Sequence, residues 1–161
     1  MKIKNLAVWP KEFHRDASHG RALGLASVYV VLAVTQLFSY EQFMAVVSAF
    51  GLPGGDGVAR LVAYMLPLLE VVALPYLLSM VLPQKLWQAS RLACALVPAV
   101  WLLIALWTNL TAQTMMNAGL FGATIPAING PWLVVFTLLL ASAVYLVARD
   151  LPARTKLPKA V

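Results

Sequence analysis

Four stretches of this chain are too apolar and too long to border water: about Ala22 to Ser39, Val58 to Leu82, Leu92 to Gln113 and Pro131 to Ala148. Each approaches the roughly 20 residues that a helix needs to cross the hydrocarbon of a bilayer. The runs are continuous, whereas the strands of a membrane barrel would alternate apolar and polar residues over about ten positions. A spanning segment must also satisfy its own backbone, which a helix does. With 61% hydrophobic and only 11% charged residues in 161, little chain is left for a soluble domain. The expected fold is all-α: an integral membrane four-helix transmembrane bundle, with residues 1–161 as a single membrane domain.

The charges outside the runs give an orientation. Lys2, Lys4, Lys11, Arg15 and Arg21 precede the first run, Lys85 and Arg91 lie between the second and third, and Arg149, Arg154, Lys156 and Lys159 follow the fourth. Only Arg60 falls on the other side. By the positive-inside rule both termini and the middle loop are cytoplasmic, and the two longer loops face outward. The net charge of +6 is then a matter of topology and not a nucleic-acid footprint. Residues 1–21, with Trp9 and Phe13 among charges, are expected at the cytoplasmic headgroup layer, and residues 149–161 form a basic tail. The first run is too long for the core of a signal peptide, and no A-x-A-like site precedes Ser39-Tyr40-Glu41-Gln42, so it is read as a retained helix.

Glu70 stands out within LPLLEVVALP, Leu66 to Pro75. An acid at a helix centre costs roughly 2.5 to 3.5 kcal/mol on insertion scales, so it is expected to face the bundle interior and to be protonated or partnered. Pro67 and Pro75 each remove a backbone donor, free the carbonyls of Ala63 and Val71, and bend the helix. Protonated Glu70 has the Leu66 carbonyl as a local acceptor. Matching depths across antiparallel spans brings Tyr29, Trp101 and Ser142 nearest, with Tyr29 the expected partner. Two readings stay open: a proton-carrying or ligand-binding acid, and a structural acid that pins helices together.

Nearer the outer face, Gln36, Tyr64, Trp107, Thr108, Asn109 and Thr137 supply polar groups from every span. They either line an outward pocket or bond between helices, the commoner fate of uncharged polar groups in membranes. The first outer loop continues helically from Tyr40 through Phe50 and breaks at Leu52-Pro53-Gly54-Gly55-Asp56-Gly57, read as a turn because no strand precedes it and no Lys-Ser/Thr follows. The second outer loop, Thr114 to Gly130, carries no charge. It is expected to fold against the bundle, lie in the interface or meet a partner. Asn129 is expected to cap the fourth helix, with Pro131 in its first turn. His14 and His19 are too badly spaced for one helix face and are read as solvated. Cys94, the single cysteine, has no internal disulfide partner and is read as packing. No catalytic triad, metal-ligand or phosphate-cradle pattern occurs, so no catalytic residue, metal or intrinsic cofactor is expected.

The order of these features resembles the DoxX-like superfamily of small four-helix membrane proteins, most closely its MauE (methylamine utilisation) branch. QLFSYEQFMAVVSAFGLP, Gln36 to Pro53, is similar to the family's first helix end and amphipathic segment. YMLPLLEVVALPYLL, Tyr64 to Leu78, resembles its "lP..E...g..LL" core, which places Glu70 at the characteristic acid. NAGLFG, Asn117 to Gly122, looks like the "(D/N)CGCFG" motif. In MauE-like proteins that motif's cysteines imply thiol-disulfide exchange during maturation of periplasmic dehydrogenases. Ala118 and Leu120 stand at their positions here and hold no sulfur to attack or resolve a disulfide, while Gly119, Phe121 and Gly122 keep the loop's form.

The resemblance implies an accessory protein, more simply non-enzymatic, that binds and supports assembly or anchoring of a membrane or periplasmic redox protein through Asn117, Gly119, Phe121 and Gly122. An alternative is a quinone-interacting subunit of an oxidoreductase, with Glu70 handling protons and Tyr29, Gln36, Tyr64, Trp107 and Asn109 about the ligand. A third reading, a small-solute or lipid-binding membrane protein, lacks a second buried charge or an inverted repeat.

Overall fold

The structure, a computed structural model, describes residues 17–111, 117–123 and 130–151. Five helices follow in order: α1 (Ala17–Phe38), α2 (Tyr40–Ala49), α3 (Gly55–Leu77), α4 (Gln84–Leu110) and α5 (Pro131–Asp150). All but α2 are long and apolar enough to cross a membrane. The fold is therefore all-α, with four long apolar helices in a multi-pass bundle. In the bundle α1 packs on α3 and α5, and α4 on α3 and α5, so α1 and α4 stand diagonally opposed. The short helix α2 lies against α3. One end, here the near end, carries the start of α1, the α3–α4 turn and the end of α5, where Arg21 and Asp150 pair at 2.9 Å. The far end carries α2 and residues 117–123.

The interior is an apolar core with a few polar groups set in it, and the exterior is apolar too, unlike the surface of a soluble bundle. Gln36, Glu70, Ser90, Thr108 and Thr137 are buried, while Leu23, Val34, Leu61, Leu103 and Leu139 are exposed. Ala22, Ala26, Ala59, Ala63, Ala93 and Ala105 are buried at the contacts. Small residues let helix backbones approach closely where lipid removes the hydrophobic drive for association.

Helix ends differ from the apolar runs for local reasons. α3 stops at Leu77, short of the expected Leu82, in a Schellman turn: Met80 N–H donates to the Pro75 carbonyl and Ser79 N–H to that of Tyr76. Ser79 occupies the left-handed position of this turn at φ 52°. Past Pro83, α4 begins at Gln84 and not Leu92, because the polar segment through Arg91 continues the helix beyond the apolar run. α1 starts at Ala17, before the expected Ala22, and α5 runs to Asp150, past Ala148, with Arg149 in its last turn complementing the dipole. Gly130 is the N-cap of α5 and Pro131 opens it; Asn129 lies outside the described residues. His19 is buried and not solvated, while His14 lies outside the described residues.

Two hydroxyls repair backbone that prolines open. Pro98 has no N–H for the Cys94 carbonyl, and the Tyr29 hydroxyl donates to that carbonyl at 2.7 Å, spanning the diagonal from α1 to α4. Beyond Pro75, Ser90 Oγ accepts from Tyr76 N–H at 2.9 Å and donates to the Val72 carbonyl at 2.6 Å. Tyr76 and Val72 are the i to i−4 pair next to the proline, so one buried hydroxyl from α4 serves both members of that pair. An average interhelical bond in a membrane contributes about 0.6 kcal/mol. Ser90 serves two backbone groups, and removing its oxygen strands a buried donor, worth about 1–3 kcal/mol.

Two stability outcomes follow, both read by thermal or denaturant unfolding in detergent. Ser90→Ala is expected to lose about 1–3 kcal/mol, against little change for Ser27→Ala, whose hydroxyl only bonds back to the Leu23 carbonyl on the exposed face. Ser79→Gly is expected to gain about 1 kcal/mol by removing the left-handed penalty. Equal effects of the two Ser→Ala changes would contradict the repair at Pro75.

Candidate functional site

Glu70 is fully buried on α3, and its partner is Gln36 of α1, not Tyr29. Gln36 Nε2 donates to Glu70 Oε1 at 3.1 Å and to the Leu120 carbonyl at 3.2 Å. One amide thus links the intramembrane acid to the far-end loop. Gln36 lies two residues before the end of α1, so Glu70 stands level with the α1 terminus and the loop. The first turns of α3 extend past that level, beside α2.

Three buried polar atoms around this link have no hydrogen-bond partner: Glu70 Oε2, Gln36 Oε1 and Trp101 Nε1. The Trp101 indole is near enough to the Glu70 carboxyl to interact with it electrostatically, though not in bonding geometry. Glu70 Oε2 therefore does not donate back to the Leu66 carbonyl. Unpaired polar atoms in a protein interior each carry a desolvation penalty of about 1–3 kcal/mol, so their gathering on α1, α3 and α4 marks this point as chemically distinct from the surrounding packing.

The loop is built to fit here. Asn117 Oδ1 accepts from Gly119 N–H at 2.9 Å, its Nδ2 donates to the Gly122 carbonyl at 3.3 Å, and Gly122 N–H donates to the Gly119 carbonyl at 3.0 Å. The asparagine amide so closes a compact turn that needs left-handed backbone at Gly119 (φ 70°) and Gly122 (φ 66°). Ala118 and Leu120 point inward, 0% and 3% exposed. Phe121 packs edge-on to Phe136 of α5 with centroids 6.3 Å apart. Ala123 N–H donates to Ser39 Oγ, which itself donates to the Thr35 carbonyl, so the α1–α2 junction holds the loop's other side. A side chain at Gly122 would overlap the Thr35 carbonyl oxygen, and one at Gly119 would press on Val46 at 3.1 Å. Of the three expected placements of the second outer loop, residues 117–123 take the first and fold against the bundle.

The other expected site residues do not join this cluster. Tyr29 bonds to the Cys94 carbonyl. Tyr64 is 61% exposed and faces outward, in a groove of about 400 Å³ with Leu37, Tyr40 and Pro67. Trp107 Nε1 is shared between the Phe50 and Gly51 carbonyls, each at 3.2 Å, tying α4 to the end of α2. Asn109 Nδ2 donates to the Ala105 and Gly130 carbonyls, closing α4 on the start of α5. Thr108 and Thr137 bond back to their own helices. Trp107 and Asn109 thus use their polar atoms in joining elements, whereas Thr108 and Thr137 bond within their own helices and Tyr64 lines an outward groove without the others. Ser142 is exposed and bonds to the Leu138 carbonyl, away from Glu70. Ser39 and Ser90 were not singled out from sequence; the available signal for Ser90 was a lone hydroxyl facing a proline-bearing helix.

Gly122→Ala is expected to release the loop, with a loss of at least about 2 kcal/mol from left-handed strain and backbone overlap together. Limited proteolysis and thermal unfolding in detergent would read it. Gly57→Ala, where an added Cβ meets nothing within 4 Å, serves as the control and is expected to behave as the parent. Comparison of the chain with protein-family models, curated proteins and solved structures finds no match.

Proposed function

We propose that the protein is a non-enzymatic accessory protein of the bacterial inner membrane, both termini cytoplasmic, that presents its far end to a membrane or periplasmic redox partner and supports that partner's assembly or anchoring. The observation that carries this reading is the double donation by Gln36. The amide nitrogen that serves Glu70 Oε1 also holds the Leu120 carbonyl, so on this reading the acid helps to set residues 117–123. The resemblance of NAGLFG to a loop that carries cysteines in DoxX/MauE-like proteins supports the same role, with the loop's form kept and its thiols replaced by the inward-facing Ala118 and Leu120.

Ala118 and Leu120 face the bundle, so on this reading the partner meets exposed groups of the α1–α2 junction, whose Ser39 holds Ala123, and of the start of α5: Phe38, Glu41, Gln42 and Trp132. A quinone-interacting subunit is the second reading, favoured by the unpaired Glu70 Oε2 beside Trp101. The outward groove with Tyr64 includes Pro67 but not Glu70, which separates an apolar ligand there from the acid.

Affinity purification of the full chain in mild detergent, with a photo-crosslinking residue at Glu41 or Trp132, tests the first reading. It predicts a discrete crosslinked membrane or periplasmic protein, retained at reduced yield in Glu70→Gln through lower stability. A chain that purifies alone, with residues 117–123 freely cleaved in native membranes, would contradict it. Co-purified quinone, with turnover of an associated oxidoreductase abolished by Glu70→Gln in a fully folded protein, would establish the second reading instead.

A further inference from the structure

We propose that the groove between α4 and α5 binds an anionic phospholipid, its phosphate at Arg91 and one acyl chain lying along the groove toward Leu102. The groove measures about 610 Å³ and opens on the lipid-facing flank of the bundle. That volume lies within the roughly 300–1,000 Å³ of small-ligand sites. Its floor is cut by small residues, Ala95 and Ala99 on α4 and Ala141 and Ala148 on α5, and its walls are otherwise largely apolar.

Charge chooses the occupant. Arg91 is the one charged residue lining the groove, and it stands at the near-end mouth with Gln88. Its guanidinium lies over the Trp87 ring, 5.5 Å from the centroid, and Trp87 is in turn braced edge-on against Tyr76 at 5.8 Å. Among the described residues no carboxylate pairs with Arg91; Asp150, at the near end of α5, is held by Arg21. Stacking leaves the guanidinium's in-plane donors free for a phosphate, which it can grip through two parallel bonds. A basic pocket between membrane helices at the headgroup level is a recurrent form of anionic-lipid site.

Length agrees with charge. From Arg91 to Leu102 α4 rises about 16 Å at 1.5 Å per residue, close to the roughly 15 Å half-thickness of a hydrocarbon core. A phosphate at Arg91 thus places a lipid tail of ordinary length within the groove. Residues 152–161 carry Arg154, Lys156 and Lys159 and no acidic side chain to pair with Arg91. A second copy of the groove would bring a second Arg91 to the same place. Neither offers the missing negative charge.

The test uses the delipidated full chain in mild detergent, titrated with dioleoylphosphatidylglycerol or dioleoylphosphatidylcholine, with bound lipid counted by native mass spectrometry and unfolding temperature measured in parallel. Phosphatidylglycerol is expected to bind about tenfold more tightly, a difference of about 1.4 kcal/mol. Arg91→Gln should erase the preference without lowering the unfolding temperature in phosphatidylcholine, and Arg91→Lys should restore much of it. Ala99→Trp, which fills the exposed groove, should reduce retention of both lipids. Equal binding of the two lipids, a preference that survives Arg91→Gln, or an Ala99→Trp protein that changes oligomeric state while keeping its lipid would each overturn the proposal.

Discussion

The bundle turns on one primary amide. Gln36 reaches from α1 to the acid of α3 with the same nitrogen that holds the Leu120 carbonyl, and so joins two helices and a loop remote in sequence. Inside a membrane such a link has no water to compete with it and none to replace it. Each element it touches depends on the others: Glu70 needs a donor, the Leu120 carbonyl needs a donor, and the loop needs the α1 end for Gly122 and Ala123 to rest against.

The same constraint explains how a chain with prolines inside its spanning helices stays closed. A missing backbone donor in hydrocarbon leaves a carbonyl that no solvent can satisfy. Tyr29 serves the carbonyl freed at Pro98 across the diagonal of the bundle, and Ser90, from the neighbouring helix, serves the Tyr76 N–H and Val72 carbonyl beside Pro75. In both cases the proline and the hydroxyl that serves its turn lie on different helices, so the backbone of one helix is satisfied through its association with another.

Much of this architecture was legible in the sequence because long apolar runs leave few alternatives; the lack of charge in the second outer loop left three placements open, of which residues 117–123 take the one against the bundle. The ends of the helices were not, since Gln84 to Arg91 is polar yet helical and Ser79 takes a left-handed turn that composition does not announce. Glu70 was conspicuous as the acid within a spanning run, but its partner was misread. Depth matching treated the spans as level rods, whereas α3 begins beside α2, beyond the end of α1, which brings Glu70 opposite Gln36. Tyr29, the expected partner, is drawn away by a freed carbonyl whose cause, Pro98, lies far off in the chain.

On the proposed reading, a loop held in place through a buried acid forms part of the surface offered to a partner. The measurement that bears most directly on that account is amide hydrogen exchange at Gly119, Gly122 and Ala123 in lipid nanodiscs for Glu70→Ala, Gln36→Ala and the double variant. The account predicts faster exchange in each single variant and no further increase in the double, because both changes break one link. Additive increases, or loop amides as protected in Glu70→Ala as in the parent, would contradict it.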